Sequence, residues 1–147
     1  MSLGIAVVCR YNSSRLEGKI LKKIHERSVL EIIVERLQFS LPNIPVVIAT
    51  SIEKSDDIIC EYCEEKGYAF FRGSLNDVAS RLIHCAKSYN WNHFVRINGD
   101  NVFVDSESLK EMIRINRDMN EDFVTNVPSR TFPYGMSVEI LKTSFYE

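Results

Sequence analysis

The sequence has no excess of positive charge. Its 147 residues include 18 Lys and Arg against 20 Asp and Glu, which gives a formal net charge of −2. A domain that holds nucleic acid by bulk charge needs a clear cationic excess or a basic stripe to neutralise phosphates. We therefore expect no nucleic-acid partner.

Long apolar runs are also missing. The longest, Leu3–Cys9, is far shorter than the roughly 20 residues that a helix needs to cross a bilayer. No basic segment precedes it and no small-residue cleavage site follows it, so it does not resemble a signal peptide. We expect a cytoplasmic protein with no membrane partner.

Cysteine is scarce, and its spacing argues against a metal site. Of Cys9, Cys60, Cys63 and Cys85, only Cys60 and Cys63 have ligand-like spacing, and no second Cys or His pair lies near them in the sequence. Reduced cysteines mostly behave as small core hydrophobes. We expect these four to be buried thiols.

What the sequence does contain is a regular alternation of strand and helix patterns. The β-branched, apolar stretch Gly4–Cys9 is typical of a strand buried on both faces. Ser28 and Glu31 have the spacing of a capping box, and Ser55-Asp56-Asp57 is placed to cap and charge the start of a second helix. Strands are expected at 4–9, 46–50, 68–71, 93–97, 123–126 and 136–141, and helices starting near 28, 55, 76 and 105. The alternation predicts one α/β domain over residues 1–147 with a largely parallel sheet.

The segment after the first predicted strand is rich in cations. Within ten residues it carries three cations, two hydroxyls and a glycine, namely Arg10, Arg15, Lys19, Ser13, Ser14 and Gly18. Arg forks, Lys charges and backbone amides beside Gly are suited to hold a triphosphate, and ligands bind where strands of a parallel sheet end. The segment lacks the P-loop and dinucleotide fingerprints, and a solvated loop is an equally good interpretation.

A second candidate segment follows the third predicted strand. Arg72-Gly73-Ser74 lies at the end of that strand, and Asp77 and Arg81 follow it. Taken alone, the segment favours a structural interpretation in which Gly73 forms the turn, Ser74 caps the helix and Arg81 is a surface cation.

The fourth predicted strand ends at Asn98-Gly99-Asp100, which offers a carboxylate. Mg²⁺ usually takes one or two protein carboxylates and completes its shell with water and phosphate oxygens, so Asp100 is a candidate magnesium ligand. A turn carboxylate is the alternative. Asp105 is interpreted as a helix cap rather than a ligand.

The fourth candidate segment, residues 126–139, carries Pro and Gly between aromatic residues. Arg130, Gly135 and Glu139 belong to it. It is either a turn before an edge strand or one wall of an acceptor pocket at the carboxyl edge of the sheet.

Together, these segments resemble the cytidylyltransferases that activate acidic sugars, in the branch called acylneuraminate cytidylyltransferase or spore coat polysaccharide biosynthesis protein F. The resemblance runs in order from about Gly4 to the end of the chain. The matching pieces are Arg10-x-x-Ser13-Ser14-Arg15-Leu16-x-Gly18-Lys19, Phe71-Arg72-Gly73-Ser74-x-x-Asp77-Val78-x-x-Arg81, Val95-Arg96-Ile97-x-Gly99-Asp100 and Arg130-Thr131-Phe132-Pro133-x-Gly135-x-x-Val138-Glu139. Each piece is weak alone, whereas four in register are specific.

The resemblance implies a three-layer, Rossmann-like nucleotide-diphospho-sugar transferase fold with a mostly parallel sheet. It also implies a reaction in which CTP and an acidic sugar give a CMP-sugar and pyrophosphate, with Mg²⁺ as cofactor, in surface polysaccharide biosynthesis. The implied partners are CTP, the sugar and a second copy of the chain in a homodimer.

Roles for individual residues follow from the same resemblance. Arg15, Lys19 and Asp100 are the implied catalytic residues, and Asp100 is the implied Mg²⁺ ligand. The implied nucleotide-binding residues are Arg10, Ser13, Ser14, Arg72, Gly73, Ser74, Asp77 and Arg81. The sugar site is expected at Arg130, Gly135 and Glu139.

The chain departs from the family pattern at several points. Glu17 stands where the family usually has Pro, Asn101-Val102 replace Cys-Pro, and Ser137 replaces a carboxylate. Family members continue beyond the position of Glu147 and supply a second metal-binding Asp, so the chain is expected to be shortened at its carboxyl end. The alternative function is therefore a non-catalytic nucleotide or sugar-nucleotide binding module.

Overall fold

A six-stranded sheet with helices on both faces organises the protein. The computed structural model describes residues 2–13, 16–129 and 131–147. In chain order the elements are β1 (Leu3–Val8), β2 (Lys23–Ile24), β3 (Arg27–Ser28), α1 (Val29–Ser40), β4 (Val46–Ser51), α2 (Asp57–Lys66), β5 (Ala69–Gly73), α3 (Val78–Ser88), β6 (His93–Asn98), α4 (Ser106–Met119), β7 (Phe123–Thr125), β8 (Glu139–Lys142) and α5 (Thr143–Tyr146). Short 3₁₀ helices cover Lys19–Leu21 and Lys54–Asp56.

The order of the strands in the sheet is β5-β4-β1-β6-β8-β7. Strands β5, β4, β1 and β6 are parallel to one another, whereas β8 is antiparallel to both β6 and β7. The chain winds outward from β1 through β4 to β5 and then returns to the other side of β1 to form β6. The winding therefore reverses between β1 and β6, which is where open α/β sheets bind ligands. The predicted mostly parallel α/β sheet is confirmed.

Two apolar cores pack against the two faces of the sheet. Helices α1, α2 and α4 cover one face, and their buried residues join those of the strands, among them Ile5 and Val7 of β1. Helix α3 covers the other face together with Ala6, and Tyr146 of α5 packs beside it. Neighbouring residues of β1 thus point to opposite cores, as the two-residue period of a strand requires.

The helix starts show which local signals decided the structure. Ser28 and Glu31 form the predicted capping box, in which the Ser28 hydroxyl accepts from the Glu31 amide at 3.0 Å. Asp105 caps α4 as predicted by accepting from the Ser108 amide at 2.7 Å. The prediction for Asp56 is wrong, because its side chain makes no capping hydrogen bond with α2.

The four cysteines are free and buried, which confirms their predicted place in the core. Burial raises the pKa of the Cys63 and Cys85 thiols to about 12 and that of Cys9 well above its ordinary range. These thiols therefore stay protonated at neutral pH. Within the described part of the chain, no helix is long and apolar enough to cross a membrane.

Gly4 in β1 lies against the indole ring of Trp91, which is 6% exposed. A Cβ atom at position 4 would overlap the ring, and Trp91 is packed too tightly to move away freely. We predict that Gly4→Ala lowers the free energy of unfolding by about 1–3 kcal/mol, the usual effect of overpacking. Urea unfolding measures the change.

The matched control is the same substitution in a Trp91→Leu background, where the overlapping ring is gone. There the added effect of Gly4→Ala should be much smaller. An equal loss of stability in both backgrounds would show that the overlap with Trp91 is not the cause.

Candidate functional site

A cavity of about 450 Å³ opens at the carboxyl ends of β1 and β6, at the point where the winding reverses. Its walls come from the loop after β1, the start of α3 and the loop after β6. The lining residues are Val8, Cys9, Arg10, Ser13, Lys19, Ile20, Leu75, Asn76, Val78, Arg81, Asn98, Gly99 and Asp100. Five residues that the sequence predicted for the site, Arg10, Ser13, Lys19, Arg81 and Asp100, are thus brought together.

Lys19 and Asp100 meet at this cavity. The Lys19 ammonium lies 3.0 Å from Oδ2 of Asp100, although 81 residues separate them in the sequence. The two side chains are 32% and 47% exposed. Pairs this exposed contribute only about 0–1 kcal/mol, so a phosphate or a cation can displace the partner at little cost.

The loop after β1 presents a second cation beside Lys19. Arg10 is exposed and makes no hydrogen bond or ion pair with any residue that the structure describes. Gly18, with a φ of 63°, turns the chain into the 3₁₀ helix that carries Lys19. Ser14 and Arg15, also predicted for this loop, lie outside the described residues.

The floor of the cavity depends on a glycine at the end of β6. The Gly99 amide donates to the Val8 carbonyl at 2.8 Å, which continues the pairing of β1 and β6 by one bond. A Cβ atom at position 99 would lie 2.8 Å from Cβ of Cys9 and 2.9 Å from Cδ1 of Ile20. The absence of a side chain therefore lets the two loops approach each other.

Arg81 enters the cavity wall from α3. It is 2% exposed, which excludes the interpretation as a surface cation. One guanidinium nitrogen donates to the Ser74 carbonyl at 3.3 Å, whereas the buried Nε has no hydrogen-bond partner among the described residues. Burial lowers the pKa of the guanidinium, and the nearby Arg10 and Arg96 lower it further. The cavity therefore has an excess of positive charge.

Four residues predicted to bind nucleotide do not line the cavity. Arg72 donates to the backbone carbonyls of Ser51 and Glu53, both at 2.9 Å, and pairs with Asp57 at 2.8 Å. These contacts fix Arg72 to the end of β4 and the start of α2.

The other three prepare the start of α3. Gly73 makes room for Arg81, since a Cβ atom there would lie 2.7 Å from Cγ of Arg81. The Ser74 hydroxyl accepts from the Asp77 amide at 3.0 Å, and Asp77 caps the helix. In their place Leu75 and Asn76 reach the cavity, and no feature of the sequence singled these two out.

The segment predicted to form the sugar site lies beside the loop of Asp100. The Gly135 carbonyl accepts from the Phe103 amide at 3.1 Å. Glu139 begins β8, opposite Arg96 of β6, and the two side chains form an ion pair at 3.1 Å. Arg130, also predicted for this site, lies outside the described residues.

Asp56 does not cap α2 as its position in the sequence predicts, but binds the loop after β1. It is 1% exposed, and its carboxylate accepts from the Tyr11 amide, the Thr50 hydroxyl and both the amide and hydroxyl of Ser51. Burial raises the pKa of Asp56, but these hydrogen bonds together bring it below its ordinary value. No local signal reveals this role, because Tyr11 is 45 residues away in the sequence.

Two solved structures share this fold over nearly the whole chain. A cytidylyltransferase from Leptospira borgpetersenii matches 99% of the chain and 62% of its own, with a TM-score of 0.91 and 36% identity. A CMP-2-keto-3-deoxy-manno-octonic acid synthetase, solved in complex with CTP, matches with a TM-score of 0.78. That second match is 15% identical over 99% of this chain and 76% of the other, and so supports the fold alone.

Sequence comparison identifies the family. An uncharacterized protein of Methanocaldococcus jannaschii is 34% identical over 91% of the chain, and the spore coat polysaccharide biosynthesis protein SpsF of Bacillus subtilis is 33% identical over 83%. The chain spans about half the length of these curated relatives, 54% and 53%. The cytidylyltransferase family model matches residues 5–144. On these grounds the chain belongs to the cytidylyltransferase family.

Proposed function

We propose that the chain is the nucleotide-binding part of an enzyme that transfers CMP from CTP to a sugar in surface polysaccharide biosynthesis. The observation that carries the proposal is the convergence of Arg10, Lys19 and Asp100 on one cavity at the reversal of the winding. In the reaction, a sugar hydroxyl oxygen bonds to the α-phosphorus, and the hydroxyl proton is released to water. The bond from that phosphorus to the bridging oxygen breaks, and pyrophosphate leaves with the electron pair.

The charges of the cavity suit a triphosphate. Among the described residues Arg10 has no ion-pair partner, and Lys19 has only the weak exposed pair with Asp100. In phosphoryl and nucleotidyl transfer the protein takes little part in covalent bonding. Positioning of the reactants and stabilisation of the developing charge therefore supply most of the rate acceleration. Arg10 and Lys19 would hold the phosphates, and Arg15, predicted for the same loop, would add a third cation.

Mg²⁺ is the cofactor that the family resemblance implies, and the donor chemistry at Asp100 fits it. The carboxylate is about half exposed, and Ser13 and Asn98, whose side chains contain oxygen, are also among the lining residues. A few oxygen donors are enough for Mg²⁺, because this ion usually retains several waters and phosphate oxygens in its coordination shell. When bound, the ion would neutralise phosphate charge, while Lys19 would be free to turn from Asp100 to a phosphate oxygen.

The proposed acceptor is an acidic sugar. Support comes from the family resemblance and from the SpsF relative, whose name places that protein in spore coat polysaccharide biosynthesis. Gly135 lies next to the loop of Asp100, and Glu139 pairs with Arg96 of β6, the strand that leads into this loop. Both would border the sugar, with Arg130 from the same segment. A cytoplasmic location and a homodimer belong to the same proposal and rest on the resemblance.

A non-catalytic nucleotide-binding module is the second candidate. Asp100 is the only carboxylate among the described residues that line the cavity, whereas a pair of carboxylates would hold a metal more firmly. Both candidates bind CTP, and only the first releases pyrophosphate.

We predict that Lys19→Ala raises the dissociation constant for CTP at least about tenfold, because a charge-assisted hydrogen bond contributes about 1.5–3 kcal/mol. The melting temperature should hardly change, since the Lys19–Asp100 pair is exposed. Calorimetric titration with CTP measures the affinity. Lys22→Ala, which removes an equal charge from an exposed position outside the cavity, is the control and should bind as the parent chain does. Equal losses in the two variants would contradict a specific role for Lys19.

We also predict that the chain releases pyrophosphate from CTP when both Mg²⁺ and an acidic sugar acceptor are present. Asp100→Asn should slow this release about a hundredfold or more, because a metal supplies several kcal/mol of charge stabilisation. Glu107→Gln removes an exposed carboxylate from α4 and should leave the rate unchanged. Binding of CTP without any release of pyrophosphate would support the non-catalytic module instead.

A further inference from the structure

Tyr11 closes the loop that follows β1. Its amide donates to Oδ1 of Asp56 at 2.7 Å, and its carbonyl accepts from the Gly18 amide at 2.9 Å. Its side chain also covers Gly18, since a Cβ atom at position 18 would lie 3.0 Å from two ring carbons and from the hydroxyl oxygen of Tyr11. Both ends of the loop are therefore held at Tyr11. We call Asp56, Tyr11 and Gly18 the loop clamp.

The carboxylate of Asp56 divides its two oxygens between the loop and the sheet. Oδ1 accepts from Tyr11, whereas Oδ2 accepts from the Thr50 hydroxyl at 2.9 Å and from the amide and hydroxyl of Ser51. Thr50 and Ser51 are fully buried at the end of β4. Asp56 thus ties the loop to a rigid part of the sheet.

The contacts of Asp56 differ from those that its position in the sequence predicts. A carboxylate directly before a helix ordinarily caps it, yet Asp56 leaves α2 without a side-chain cap. Burying a carboxylate is also costly unless several donors satisfy it. Such departures from local rules tend to occur at functional sites.

The clamp has a direct consequence for the two cations of the cavity. Arg10 immediately precedes Tyr11, and Lys19 immediately follows Gly18. Holding Tyr11 against Gly18 therefore fixes the spacing between the backbone positions of Arg10 and Lys19. A site whose charges are held in place before binding loses less conformational entropy on binding.

We propose that Asp56 is a positioning residue for nucleotide binding, which acts through Tyr11 and Gly18 to fix the spacing of Arg10 and Lys19. The inference rests on the proposed function and deepens it. Asp56 itself does not line the cavity.

Asp56→Asn tests the clamp selectively. Three donor groups face Oδ2, and the Ser51 amide among them cannot accept. We expect the single oxygen of Asn to stay with these three groups, so that its amide group meets the Tyr11 amide donor against donor. We expect hydrogen exchange at Tyr11 and Gly18 to accelerate roughly tenfold or more, with the Ser51 amide still protected. The dissociation constant for CTP should rise by a similar factor.

Thr50→Val is the matched control. It removes one hydrogen bond from the same carboxylate but leaves Oδ1 with Tyr11. It should lower the stability of the fold to urea while leaving loop exchange and CTP affinity unchanged. Should Asp56→Asn fail to fold, Tyr11→Ala replaces it: loss of the ring that covers Gly18 should accelerate loop exchange and weaken CTP binding, whereas Tyr11→Phe should preserve both.

The outcomes are separable. Unchanged loop exchange in Asp56→Asn, or faster exchange with unchanged CTP affinity, overturns the positioning role. A loss of CTP affinity in Thr50→Val as large as that in Asp56→Asn also overturns it, because general destabilisation would then explain both. If the parent chain does not bind CTP at all, the proposed function is wrong. If the parent chain and Asp56→Asn bind CTP with equal affinity, only the positioning role is wrong.

Discussion

The parallel pairing of β1 with β6 is the constraint on which the site depends. Six residues of β1 lie in register with six of β6, from Leu3 opposite His93 to Val8 opposite Asn98. Because the chain reaches β6 only after winding away through β4 and β5, the loops that follow β1 and β6 leave in different directions and a cavity opens between them. A register shift of one residue would separate Lys19 from Asp100 and turn the apolar residues of the strand out of their cores.

Charge in the cavity is balanced only in part by the protein. Asp100 offsets Lys19, whereas Arg10 has no ion pair with any residue in the described part of the chain. The buried Arg81 donates to a backbone carbonyl and lies near the negative charge of Asp56. Burying a guanidinium costs free energy that a nearby anion recovers. Two arginines near the ends of the strands, Arg72 and Arg96, are instead paired with Asp57 and Glu139. The cavity therefore keeps Arg10 and Lys19 available for a polyanionic ligand.

Much of the fold could be predicted from the sequence because its signals are local. The capping box of Ser28 and the buried run of β1 depend on residues a few positions apart. The start of β8 could not be placed, because Asn126 bonds to the Met136 carbonyl and the Val138 amide and so keeps that segment out of the sheet until Glu139.

The same distinction between local and long-range signals applies to the residues of the site. Loops after strands are recognisable from their own residues, and so Arg10, Lys19 and Asp100 were found. The role of Asp56 depends on Tyr11, which is far away in the sequence. The burial of Arg81 depends on the space that Gly73 leaves in another element.

A crystal structure with CTP and Mg²⁺ tests the central claim most directly. The account predicts phosphate oxygens within hydrogen-bond distance of Arg10 and Lys19, with Lys19 turned from Asp100 toward them. Nucleotide bound elsewhere on the protein, or a cavity that stays empty at millimolar CTP, would contradict it.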